Sequence, residues 1–312
     1  MSLSFRSGAL LVLGLAAATL LPLSAPVVVA QDAPPAACQY AQTQRLAQVA
    51  DSGVREASAL VASQQWPGVY WTLNDSGNAP MLYAFDQDGV PRGAFRVSGA
   101  TNVDWESLQL GPDGAGGFAL YIGDTGDNDQ MRSDPVIYRV PEPEPAPPGG
   151  QPSGNQTAPA TAFRFVFPGR AHNAEAMLVH PTTGEVVLIS REVTGLSLIY
   201  RLPPLLDADL VLLTDFVDVV EVRAFDPASG QVTDATISTD ARHVVLRTYA
   251  SALVYDVPAG ASLATIWEQQ PRVYPLGDGP KGEGIAFGYG TDDLMTVGEE
   301  RPTMLYRTPW RC

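Results

Sequence analysis

The sequence predicts an all-β chain folded as a five-bladed β-propeller of four-stranded antiparallel blades, and three observations predict it. First, a carboxylate opens a short apolar run five times: Glu56 in REASAL, Glu106 in WESLQL, Glu175 in AEAMLV, Asp234 in TDATIS and Glu283 in GEGIAF. The intervals of 49 to 69 residues suit propeller blades. Second, each carboxylate is followed 21 to 32 residues later by an apolar pair and a tyrosine: Tyr83, Tyr138, Tyr200, Tyr255 and Tyr306. Third, the last unit ends one strand short, after EGIAFG, DLMTVG and MLYRT, while an unassigned apolar segment, TQRLAQVA (43–50), precedes the first unit. An open sheet edge is a liability, so the two fragments are expected to complete one blade.

Taken in order, residues 1–30 carry Arg6, the run GALLVLGLAAATLLPL and small residues before Gln31. That is the pattern of an export signal, which leaves one domain over 31–312. An uncleaved anchor is the rival reading, because the apolar run is nearly long enough to span a bilayer. Cys38 and Cys312 are the only cysteines, and in an exported chain an even pair reads as a disulfide. Completion of the last blade by residues 43–50 sets the two cysteines side by side. Pro34 and Pro35 separate Cys38 from the apolar run, against a lipid-anchored cysteine.

Within each unit, Gly, Pro, Asn and Asp turns mark off four strands. In the first these are EASALVAS nearest the axis, GVYWTLN, MLYAF and GAFRV outermost. Between units two and three lies PEPEPAPPGGQPSGNQTAP (141–159), which has no apolar period and reads as a solvated loop. It contains the sequon at Asn155.

The formal net charge is −15 and becomes more negative once Arg6 is removed. Nucleic acids and anionic membranes call for a basic surface, so cations and cationic or neutral ligands remain. Neighbouring antiparallel strands run in opposite directions, so the starts of inner strands and the ends of second strands share one face. The acids gather there. Facing carboxylates around a funnel repel one another unless a bound cation, an arginine or a raised pKa relieves them.

A carboxylate repeated in every unit reads first as architecture, so residues special to one or two units are the better site candidates. Asp75 in LNDSG, Asp104 and Glu106 in NVDWE, and Asp124 and Asp127 in GDTGDN stand in the first two units. Closely spaced hard oxygen ligands suit Ca²⁺, although the spacing is not that of an EF-hand. The expected metal ligands are Asp124, Asp127 and Glu106. The expected ligand-binding residues are Asp75, Asp104, Glu106, Arg191, Arg247 and Lys281, the three basic groups serving as anion clamps or as internal counter-charges. GxSxG, HExxH and CxxC are all absent. Asp75-Ser-Gly and Asp124-Thr-Gly look like aspartic-protease phrases, but they sit one unit apart and follow from the repeat.

REASAL, LNDSG, VDWESL and YIGDTGDN resemble secreted bacterial propellers of the phytase-like, or esterase-like, group over roughly residues 55–140, and the rest of the chain resembles them only through the repeat. The metal-dependent phytases that name the group are six-bladed with acidic, calcium-filled funnels, whereas five units are counted here. The resemblance implies an extracytoplasmic propeller, calcium in the funnel and metal-assisted hydrolysis of phosphoesters or esters. From the residues themselves, the chain reads as an exported propeller binding a divalent cation and an unknown small molecule or protein. The alternatives are the hydrolase and a protein-interaction scaffold.

Overall fold

The computed structural model describes residues 38–206, 208–279 and 281–312, so the expected signal segment 1–30 lies outside the described residues. Five blades of four antiparallel strands follow one another along the chain, the second extended by Leu212–Leu213 in parallel with Thr161–Val166. Their innermost strands are Ala57–Ala62, Trp105–Pro112, Ala174–Val179, Val232–Ile237 and Gly282–Phe287. Each inner strand is buried on both faces because each blade packs against two neighbours. Successive side chains point to opposite faces, so Ala59 and Val61 join the apolar cluster shared with blade 2, while Leu60 and Ala62 join the one shared with blade 5. This explains why these strands read as continuous apolar runs. The remaining blade interfaces have apolar clusters of their own.

The last blade takes its fourth strand from the other end of the chain. Gln44–Gln48 pairs antiparallel with Met304–Thr308, setting Arg45 opposite Tyr306. Beyond it Gln39 and Tyr40 pair with Arg311 and Trp310, and Cys38 is disulfide-bonded to Cys312. Such a bond suits an oxidising compartment. Among the described residues no helix is long and apolar enough to cross a membrane.

The repeated tyrosine pins the turns on the acidic face in three blades. Tyr83 O–H lies 3.5 Å from Asn74 Nδ2, Tyr138 O–H lies 3.1 Å from Thr101 Oγ1, and Tyr200 O–H lies 2.8 Å from His172 Nε2. In blade 4, Tyr255 instead packs edge-on against Trp267. The phrase is therefore a packing device rather than a chemical one.

The Pro-rich stretch is mostly exposed, as expected of a solvated loop, but it also docks on a sheet edge. It lies along the outer strand of blade 1, Pro91–Arg96, with Ala146 N–H donating to Arg92 O (2.6 Å), Arg96 N–H to Asn155 O (2.8 Å) and Thr157 N–H to Arg96 O (3.0 Å). Glu142, buried at its start, accepts Trp71 Nε1–H at 2.6 Å. The insertion covers an edge whose backbone groups are otherwise unpaired, which its proline-rich composition did not announce.

Candidate metal centre in the axial funnel

Every inner strand begins with a β-bulge, and the bulges place the central side chains. The register skips one residue in each blade, between Ala57 and Ala59, Trp105 and Ser107, Ala174 and Ala176, Val232 and Asp234, and Gly282 and Gly284. The skipped residues are Ser58, Glu106, Glu175, Thr233 and Glu283. A bulged residue leaves the ladder and is re-aimed by the local twist.

The five repeated acids therefore do not occupy one structural position. Glu106, Glu175 and Glu283 do. Glu56 precedes its strand, half exposed and paired with Arg301 at 3.1 Å. Asp234 lies one residue past its bulge, buried, accepting the backbone N–H of Ala235 (2.8 Å) and of Ile285 in blade 5 (2.9 Å). It is an interblade staple, and burial raises its pKa well above the usual carboxylate range despite those donors.

Three carboxylates converge where blades 1 and 2 meet. Asp75 follows the second strand of blade 1, Asp104 precedes the inner strand of blade 2, and Glu106 sits in the bulge. One oxygen of each lies within 4.8 Å of the others. Oxygens that share a calcium ion at about 2.3–2.6 Å lie at most about 5 Å apart, so the three can hold one ion. Asn102 joins the segments that carry them: its Nδ2 donates to Asn74 O and Asp75 O, both at 3.0 Å, and its Oδ1 accepts Trp105 N–H at 3.1 Å. Ser58 donates to Glu106 Oε2 at 3.0 Å. Gly126 is required by the close approach, since a Cβ there would stand 2.4 Å from Asp104 Cγ and 2.7 Å from Glu106 Oε1.

The electrostatics match the crowding. Burial, then the Asp75 carboxylate, pushes Asp104 up to about 6. Burial, then Glu175, Asp75 and Asp104, holds Glu106 well above the ordinary value. Across the funnel Arg191 offsets part of this charge: its Nη2 lies 2.7 Å from Glu175 Oε1 and its Nη1 donates to Tyr249 O–H at 3.2 Å. Even so, burial outweighs Arg191 and pushes Glu175 up to about 7. Glu283 is pushed up to about 8 by burial and then by Glu175.

The other expected site residues lie elsewhere. Asp124 and Asp127 are outside the triad, and turn geometry occupies their oxygens. Asp124 Oδ1 accepts Asp104 N–H and Arg132 Nη1–H, both at 2.9 Å. Asp127 accepts the backbone N–H of Met131 (3.0 Å) and Arg132 (2.7 Å). Arg247 is fully buried beside Asp278 at 2.8 Å, and Lys281, largely exposed, stands 3.7 Å from Glu299. Both Arg191 and Arg247 are thus paired with internal carboxylates. Sequence reading missed Ser58 and Gly126 as parts of the centre, whereas Asn102 opens the NVDWE phrase that it marked as special to unit two.

These values fix the direction of the pH dependence. Glu175 and Glu283 hold protons in the folded chain at pH values where the unfolded chain has lost them. The native state thus binds more protons, and stability falls as pH rises. Burial lowers the pKa of His172 and His180, which acts the opposite way but only below about pH 6.5. In EDTA the melting temperature is therefore expected to fall between about pH 6.5 and 8.5, and Glu175→Gln should flatten the fall. A melting temperature that rises across this window would contradict the buried-carboxyl account.

No family model matches the sequence, and no curated protein matches it. Among solved structures the fold is similar to a glucose dehydrogenase, with a TM-score of 0.50 and 9% identity over 87% of this chain and 100% of that one. It is also similar to an auxiliary nutrient binding protein from Bacteroides thetaiotaomicron, with a TM-score of 0.46 and 9% identity over 87% of this chain and 77% of that one. At such identity the likeness to the dehydrogenase speaks for the fold alone.

Proposed function

We propose that this propeller is an exported cation-binding protein whose funnel takes a divalent ion, Ca²⁺, at Asp75, Asp104 and Glu106. The observation that carries the reading is the convergence of three carboxylates from two blades within reach of one ion. All-oxygen ligation favours a hard cation, and an ion there would relieve the mutual repulsion that raises Asp104 and Glu106. The disulfide and the N-terminal apolar pattern support export. Binding of a ligand through the ion fits better than turnover. The phosphoester or ester hydrolysis implied by the phytase-like resemblance calls for cationic side chains free to hold an anion, whereas Arg191 and Arg247 are paired with internal carboxylates and exposed Lys281 stands 3.7 Å from Glu299.

A ligand that binds only the folded form raises its melting temperature in proportion to the logarithm of its excess over Kd. Calcium at 100 Kd should add about 2.7 kcal/mol, a rise of several degrees for a domain of this size. Asp104→Asn should abolish the rise and Asp127→Asn should leave it. Identical melting curves in calcium and in EDTA would sink the reading, as would an Asp104→Asn variant that responds like the parent. A screen with p-nitrophenyl phosphate and p-nitrophenyl acetate should show no calcium-dependent turnover.

A further inference from the structure

The inner strands end on the face opposite the acids, and there their last residues form an axial cup. Its walls include Val61, Ile237, Phe118 and Phe287, and Gln109 and Thr236 lie among them. Gln109 is buried and reaches from blade 2 to blade 4, its Nε2 donating to Ala235 O at 2.7 Å. That bond bars the axis between cup and funnel. It also uses only the nitrogen of the amide: among the described residues no hydrogen bond reaches Gln109 Oε1 or the Thr236 hydroxyl, and both side chains line the cup. The cavity measures about 50 Å³, room for a few waters or for the polar end of a small ring whose remainder stands in the open mouth.

Apolar walls with one or two convergent polar groups are the usual make-up of a small-molecule site. We infer that the cup is a second binding site, independent of the cation centre, for a small neutral apolar group bearing one hydrogen-bond donor. A charged ligand is disfavoured, because no ionisable side chain lines the cup to pair with it. The donor meets Gln109 Oε1 or Thr236 Oγ1, and the ring or alkyl body takes the walls.

Phenol and anisole differ by one donor and serve as probes, followed by ligand-observed NMR titration of the disulfide-bonded protein. Phenol is expected to bind saturably and about fivefold more tightly than anisole, the equivalent of one net hydrogen bond of about 1 kcal/mol. Thr236→Val should reduce that preference. Phe118→Ala, at a rim position 41% exposed and so harmless to folding, should weaken both probes. Calcium and EDTA should give the same phenol affinity, so failure of the cation reading leaves this result untouched. Absence of saturable binding would overturn the inference, as would phenol affinity unchanged by both substitutions or abolished by calcium.

Discussion

Replacing Cys38 and Cys312 together by serine is expected to lower the melting temperature by at least 5 °C and to open the ring at the closing strand first. The bond spans a sequence separation of 274 residues, for which the chain-entropy model gives about 5 kcal/mol as an upper value. At about 2–4 °C per kcal/mol for a domain of this size, half of that already lowers the melting temperature by about 5–10 °C. The local effect follows from topology. Among the described residues Gln44–Gln48 is the one strand of blade 5 that comes from the N-terminal end, and within the sheet it pairs with one neighbour, Met304–Thr308. Without the bond, its detachment no longer strains the chain, and an edge of blade 5 is exposed. Hydrogen exchange should accelerate most at residues 44–48 and 304–308 and least in the inner strands. A double variant with an unchanged melting temperature, or one that loses protection uniformly, would show that the bond does not control closure.

The architecture was legible because its causes are periodic. Blades need four strands, turns need Gly, Pro, Asn or Asp, and inner strands buried on both faces need unbroken apolar runs such as AEAMLV and GEGIAF. The missing strand and the paired cysteines then fixed the closure. The site was half legible. Asp75, Asp104 and Glu106 stood out through residues special to units one and two, and they converge. Which of these acids converge was not legible, because Asp124 and Asp127 have the composition of a metal loop while their oxygens accept N–H groups of their turns. Nor was the bulge, which adds a residue without any compositional mark. A carboxylate two residues before it, as at Glu56, or one after it, as at Asp234, reads in sequence like one inside it. The docking of the Pro-rich loop on an edge was hidden for a related reason: covering an edge needs backbone groups, which every sequence has.

Arg247→Met is expected to destabilise the fold by about 3–5 kcal/mol, and Arg247→Met combined with Asp278→Leu by far less. Arg247 was expected to serve as an anion clamp or as an internal counter-charge, and it is fully buried, with Nη2 at 2.8 Å from Asp278 Oδ2 and Nη1 donating to Gly284 O at 3.4 Å. The close Arg–Asp contact is poorly aligned as a hydrogen bond, and Asp278 finds no other donor. Charge rather than bond geometry holds the pair. Gly282 makes room for it, since a Cβ there would fall 1.5 Å from Nη2. Removing one member of a buried ion pair leaves the other uncompensated and typically costs about 3–5 kcal/mol, whereas exchanging both for apolar residues is often near neutral. At about 2–4 °C per kcal/mol, the single variant should melt at least 6 °C below the parent. A double-mutant cycle on purified variants reads the coupling directly. Arg247→Met melting like the parent would show the pair to be dispensable. A double variant no more stable than Arg247→Met would show that the arginine supports the fold by some contact other than Asp278.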